Sequence, residues 1–196
     1  MIYQSLNFLA EQVNAYLPTL DGNDGMPEKF VVLKNVAQLT EQEIMALDNV
    51  FITLVNISEE STMKNIPNYV QEGGNTIYRN APVYLNLYVL FSCCVTQSYE
   101  KSLKFLSQIV TFFQGKNSFT HQNSPSPTGS RELKDFKFTL DLFSPTFEQA
   151  NYLWSTLGGK QFPYVLYRMR LVEIFRDHRT ESRGVIREIE LNNSTS

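Results

Sequence analysis

The feature that most constrains the fold is a strand followed at once by an amphipathic helix. Apolar residues alternate along the first segment, at Val83, Leu85, Leu87, Val89 and Phe91. That period of two predicts a β-strand with one apolar face. From Tyr99 to Gly115 the apolar residues recur at helical spacing instead, at Leu103, Leu106, Val110 and Phe113. The sequence therefore predicts a helix that covers a sheet. The residues of both segments are suited to packing in a core, and they assemble no reactive group.

Composition limits the class of protein to which the chain can belong. The 196 residues are 42% hydrophobic and 13% aromatic, which suffices for one domain burying roughly 70% of its unfolded surface. The net charge of −3 provides no basic field for nucleic acid. The longest apolar run, Val83 to Val95, is shorter than the ~20 residues of a membrane span. The N-terminus has no basic region typical of a secretory signal, so we expect cytoplasmic synthesis.

Periodicity along the rest of the chain predicts the other elements. A helix is expected from Ile2 to Leu17, ended by Pro18, and a short strand from Phe30 to Leu33. Thr40 and Glu43 have the spacing of a capping box, and a strand apolar on both faces is expected from Val50 to Ile57.

The second half of the chain shows the same kinds of pattern. Alternation predicts a strand from Phe136 to Leu142, and a long strand is expected from Tyr164 to Phe175. Between them a helix is expected to start at Ser144-Pro145 and to end at Gly158-Gly159. The predicted buried stripe of that helix consists of Phe147, Ala150, Leu153, Trp154 and Leu157.

These elements predict an α+β fold, with a single mostly antiparallel sheet flanked by two or three helices. The domain is expected to span residues 1–175, with irregular excursions at 58–81 and 116–133. Residues 176–196 are expected to form a polar C-terminal arm with a possible edge strand.

Candidate reactive groups are few, and each has a simple structural interpretation. Cys93 and Cys94 could include a nucleophile, but no charged residue lies between Pro82 and Tyr99 to lower a thiol pKa. Burial at the end of a strand is the preferred interpretation, and a cysteine-dependent enzyme is the alternative. The two histidines lack a ligand partner at metal-binding spacing, so neither a metal nor a cofactor is expected.

The clearest candidate contacts with other proteins lie late in the chain. Arginines from Arg168 to Arg187 are interleaved with acidic residues, a mixture that favours polar contacts between subunits. The segment Gly184 to Leu191 alternates apolar and charged residues, so it could pair with a neighbour's sheet edge or with its own domain. The predicted inter-subunit residues are Arg168, Arg170, Val185, Ile186, Arg187, Ile189 and Leu191.

Three blocks of sequence together resemble the tube-terminator or cap family of contractile injection systems. They are MIYQSLNFLAEQVNAYL, the APVYLNLYVLFS strand with its SLKFLSQIVTFFQ helix, and FEQANYLWSTLGGKQFPYVLYRMRLV. The resemblance spans most of residues 1–175, and LWSTLGGKQFPYVLYRMRLV is its most specific part.

The resemblance implies a non-enzymatic subunit that forms a sixfold ring on the end of an inner tube and joins the last sheath layer. Its partners would be further copies of itself, the tube protein and the sheath protein, without nucleic acid or membrane insertion. Larger relatives carry an additional C-terminal domain, which is expected to be absent here. A cap adaptor, another neck or baseplate connector, and a monomeric binding module remain alternatives, as does a released or an anchored particle.

Overall fold

The computed structural model describes residues 2–23, 26–27, 29–60, 69–72, 75–78, 83–96, 98–120, 122–124, 136–174 and 181–184. Its α-helices are α1 (Ile2–Tyr16), α2 (Glu41–Met45), α3 (Tyr99–Gly115) and α4 (Phe147–Thr156). Its strands are β1 (Val31–Leu33), β2 (Asp48–Glu59), β3 (Tyr69–Glu72), β4 (Asn75–Tyr78), β5 (Val83–Val95), β6 (Ser118–Thr120), β7 (Lys137–Phe143), β8 (Tyr164–Ile174) and β9 (Glu181–Gly184).

Six of these strands form one mixed sheet in the order β1-β2-β5-β8-β7-β6. The β1–β2 pair is parallel, and the other four pairs are antiparallel. Residues 34–47, which include α2, make the crossover that a parallel pair requires. The predicted α+β class with a mostly antiparallel sheet is therefore confirmed. The described residues also form a second sheet, in the order β3-β4-β9.

Parts of the two segments expected to be irregular are regular. Within 58–81, β2 continues to Glu59, and β3 and β4 pair as an antiparallel hairpin. Within 116–133, Ser118–Thr120 forms β6. The expectation of irregular structure is wrong for these strands. A short strand contains too few residues to show a clear alternation of apolar and polar side chains.

The sheet buries apolar residues on both faces. On the face that we call the α1/α3 face, Leu87, Val89 and Phe91 of β5 pack in a cluster with both of those helices. On the opposite face, the α4 face, Leu90 of β5 packs in a second cluster that includes Trp154 of α4. Burial on two sides explains why β5 is apolar at nearly every position.

The buried stripe of α3 is rotated from the predicted one. Phe105, Ile109 and Phe113 are buried as a helical stripe requires, whereas Leu103 is exposed. The stripe begins at Ser102, whose hydroxyl bonds to the backbone N–H and C=O of Val95 at the end of β5. The prediction was based on apolar residues alone. It therefore could not include Ser102, and it began the stripe at Leu103 instead.

The start of α4 also differs from the prediction. Thr146 is the N-cap and forms a capping box with Gln149, so Pro145 precedes the helix. Gly158 and Gly159, with φ of 98° and 79°, end the helix as predicted. Trp154 is buried, but Phe147 is 97% exposed, so its predicted place in the buried stripe is wrong. Leu142 at the end of β7 is likewise exposed.

One edge of the sheet is protected by a side chain of α1. The amide of Asn14 donates to the carbonyl of Val31 at 2.8 Å and accepts from the Val31 N–H at 2.8 Å. Both outward backbone groups of Val31 are thereby satisfied, which limits strand addition at β1.

The capping box of α2 predicts an unusually acidic carboxyl group. The Thr40 backbone N–H donates to Glu43 at 2.9 Å and Lys34 donates at 3.1 Å, and these bonds lower the Glu43 pKa from 4.5 to about 2. The group therefore stabilises the fold above pH 4.5, and the contribution disappears as the pH falls towards 2. We expect an NMR titration of the Glu43 carboxyl to show a midpoint near pH 2. A midpoint near 4.5 would contradict the capping geometry.

Candidate assembly surface

Arg168 and Arg170 lie where the sequence predicts them, on the α4 face of β8. Their nearest charged partner is Asp141 of β7, which stands opposite Arg168 in the strand register. The Asp141 Oδ2 atom lies 2.9 Å from Arg170 Nη2 and 3.6 Å from Arg168 Nη2. All three side chains are partly exposed, so the pairs contribute little to stability. Two guanidinium groups thus share one carboxylate at an accessible surface.

Next to this pair lies a polar group with unused hydrogen-bonding capacity. Asn86 of β5 stands opposite Arg170 and donates to Glu60 at 2.9 Å. Among the described residues, the buried Asn86 Oδ1 and Arg168 Nε atoms have no hydrogen-bond partner. Both atoms are inaccessible to another protein, so the surface that a partner could contact is the exposed part of the two guanidinium groups.

The other five predicted contact residues, Val185, Ile186, Arg187, Ile189 and Leu191, lie outside the described residues. The preceding strand β9 pairs with β4 of the same chain through the second sheet. Of the predicted strand from Gly184 to Leu191, the structure therefore describes the first residue alone, as the last residue of β9.

The two cysteines occupy the end of β5, one on each face of the sheet. Cys93 belongs to the α1/α3 cluster and Cys94 to the α4 cluster, and both side chains are buried. Burial raises the pKa of both thiols to about 12, so they are protonated at neutral pH. A reactive thiol requires the opposite environment. The geometry gives no support to a cysteine nucleophile.

The described residues contain no cluster of three or more side chains able to hold a metal ion. His121 and His178 lie outside the described residues. No helix within the described ranges combines the length and the apolar character that crossing a bilayer requires.

An apolar groove lies between α4 and the sheet. It has a volume of 440 Å³, and its lining includes Tyr88 of β5, Leu153 of α4 and Leu166 of β8. No carboxylate, imidazole, thiol or amine belongs to the part of its lining that the structure describes. The groove is therefore suited to an apolar side chain, and it does not assemble groups for acid–base chemistry.

Sequence reasoning missed the exposure of two large apolar side chains, Leu142 of β7 and Phe147 of α4. Their side chains are 56% and 97% exposed. The Thr146–Gln149 capping box is the signal that would have placed Phe147 at the first position of α4.

Two solved structures share this architecture. The sheath/tube terminator of the extracellular contractile injection system PVC, in its extended state, matches all of this chain and 65% of its own, with TM-score 0.60 and 16% identity. The tube-terminating cap of the anti-feeding prophage matches 74% of this chain and 49% of its own, with TM-score 0.50 and 12% identity. The fold is thus an α+β domain of the tube-terminator type.

The family follows from the sequence itself. The chain belongs to the Pvc16 N-terminal domain family, whose model matches residues 6–188. A comparison with curated proteins finds no match. The family expected from the sequence blocks is confirmed, and the chain spans about two thirds of one structural neighbour and half of the other.

Proposed function

We propose that this protein is the structural terminator of a contractile injection particle. Copies of the chain would form a ring, expected to be a hexamer, on the end of the inner tube, and the ring would also contact the last sheath layer. The observation that carries the proposal is the family match over residues 6–188 together with a fold shared with two terminators. The particle would assemble from proteins made in the cytoplasm.

The mechanism would be geometric. One side of the ring would match the tube end, and the other would offer no surface to a further tube ring. A closed ring needs a head-to-tail interface, in which each subunit uses two different surfaces. The partly exposed guanidinium groups of Arg168 and Arg170 would provide polar contacts between subunits. The segment 185–191 would add the contacts that its alternating sequence favours.

A cap adaptor beneath the terminal cap is the second candidate. The same fold in a ring between the tube end and the cap would serve this role. Imaging of the intact particle would separate the two, because only the cap is the outermost density.

Deleting the subunit tests the proposal directly. Without a terminator, tube subunits would continue to add, so we expect particles of variable length and unstable sheaths in electron micrographs. Particles of uniform, normal length after deletion would overturn the proposal.

Expressing a variant of the subunit in the deletion strain supplies the matched control. We expect the double variant C93A/C94A to restore normal particle length, because both thiols are buried, protonated packing groups. Loss of function in a folded double variant would instead support the enzyme alternative.

A further inference from the structure

We propose that residues 185–191 of one copy lie across the α4 face of β8 in a second copy. In this arrangement Ile186 enters the apolar groove beside α4, and Glu188 and Glu190 bind the exposed arginine pair. The inference rests on the proposed function and deepens it, because it names two surfaces that join one subunit of the ring to the next.

Along β8, the α4 face presents one apolar residue followed by two basic ones. Leu166 lines the groove, and Arg168 and Arg170 follow it at alternate positions. Alternate residues of a strand lie on one face, about 7 Å apart. Tyr88 of β5 stands opposite Arg168 and also lines the groove, so the groove and the arginine pair adjoin each other.

The segment 185–191 has the same order of side chains, with acidic residues in place of the basic ones. Ile186 is followed at alternate positions by Glu188 and Glu190. In an extended chain these three side chains are also about 7 Å apart. When the apolar side chain meets the groove, each carboxylate therefore meets a guanidinium group. This charge complementarity sets the direction and the register of the contact.

The arginine pair has hydrogen-bond donors beyond those that Asp141 occupies. Asp141 Oδ2 lies 2.9 Å from Arg170 Nη2, whereas Arg168 Nη2 is 3.6 Å away, which is beyond ordinary hydrogen-bond distance. The side chains of Arg168 and Arg170 are 34% and 49% exposed. A guanidinium group has five donors in a planar fork that matches a carboxylate. Carboxylates from another chain can therefore bind without displacing Asp141.

Chain connectivity assigns the segment to a second copy. The second sheet joins the main sheet where Val83 begins β5 and Ile174 ends β8, and these residues stand opposite each other. From there β8 runs back about 26 Å to Leu166. Gly184 ends β9 at the side of the second sheet remote from this junction, and Ile186 follows it within about 7 Å. A tail and a face are also the two different surfaces that head-to-tail assembly requires.

The other side of the segment indicates that the contact belongs to the assembled particle. Val185, Ile189 and Leu191 point away from the α4 face when Ile186 points towards it. Their apolar surface is favourable only under a further protein that covers it, and in the particle the tube and the sheath provide such proteins. The contact is therefore tested in assembled particles.

Disulfide trapping provides the test. Thr139 stands opposite Arg170 on the α4 face, and Asn192 follows Glu190 on the same side of the segment. T139C and N192C therefore leave every proposed contact in place, and the native cysteines are buried and do not compete. We expect the double variant to give covalent multimers up to the full ring under oxidising conditions. The two single variants, expressed together, should give covalent dimers and nothing larger.

The matched control moves the first cysteine to the other side of the domain. Thr111 is exposed on α3, the helix that covers the opposite face of the sheet. T111C/N192C should therefore give no multimers. Adding E188K/E190K to T139C/N192C should lower the cross-linked fraction about tenfold, because two ion pairs become two like-charge contacts.

Four results would overturn this contact. Cross-links within single chains of T139C/N192C would place the segment on its own domain. Equal multimers from T111C/N192C, or a fraction unchanged by E188K/E190K, would show that trapping is not specific to the arginine surface. Absence of multimers from T139C/N192C, together with variable length after deletion, would reject the contact and retain the terminator function. Uniform length after deletion would reject the function itself, whatever the cross-links show.

Discussion

Replacing Phe91 with alanine is expected to lower the free energy of unfolding by about 3–5 kcal/mol. Phe91 is fully buried at the middle of β5, opposite Ile52 on one side and Val165 on the other. Its ring centroid lies 5.2 Å from that of Phe113 and 5.8 Å from that of Tyr167. The substitution removes these contacts and leaves a cavity that the paired strands on both sides cannot collapse.

Urea denaturation measures this effect, and the chain itself offers a matched control. Phe147→Ala makes the same chemical change at a side chain that is 97% exposed, so we expect a loss below about 0.5 kcal/mol. The midpoint of unfolding should fall for Phe91→Ala with an unchanged slope. Similar losses for the two variants would contradict the burial assigned to Phe91.

The elements predicted correctly are those whose signals are local. The alternation through Leu87, Val89 and Phe91 identifies β5 and the face that it buries, because side-chain direction in a strand depends on position alone. The Thr40–Glu43 spacing identifies the start of α2 for a similar reason, since the box closes within one turn. Neither inference needs knowledge of another element.

The errors at Leu142 and Phe147 have a different origin. Both residues are apolar and in phase with buried neighbours, so periodicity assigns them to the core. Burial also requires a neighbouring element that covers the side chain, and both side chains remain more than half exposed. Where one element stops relative to another is tertiary information, and the sequence pattern does not contain it.

For the arginine pair too, the local feature is predictable from the sequence and the tertiary one is not. Alternation with Met169 predicts that Arg168 and Arg170 share the opposite face of β8, and the structure confirms this. Their partner Asp141 lies on a neighbouring strand, and the pairing depends on the β7–β8 register. Register is fixed by the whole sheet, so the carboxylate could not be assigned from the sequence.

Replacing Trp154 with alanine is expected to cost about 3–5 kcal/mol and to release α4 from the sheet. Of the ten described residues of α4, Trp154 alone is buried. Its ring packs against Tyr164 and Phe162, with centroids 5.2 Å and 6.2 Å away. A ten-residue helix is not stable in isolation, so its persistence depends on this anchor. Hydrogen exchange should show α4 amides losing protection while β5 amides keep theirs.

Trp154→Phe is the matched control, because it keeps an aromatic ring and removes one polar group. The buried Trp154 Nε1 has no hydrogen-bond partner among the described residues, so its removal breaks no bond. We expect a smaller loss than for Trp154→Ala, because most of the buried ring is kept, and α4 protection should be retained. Protected α4 amides in Trp154→Ala would show that this side chain does not hold α4 on the sheet.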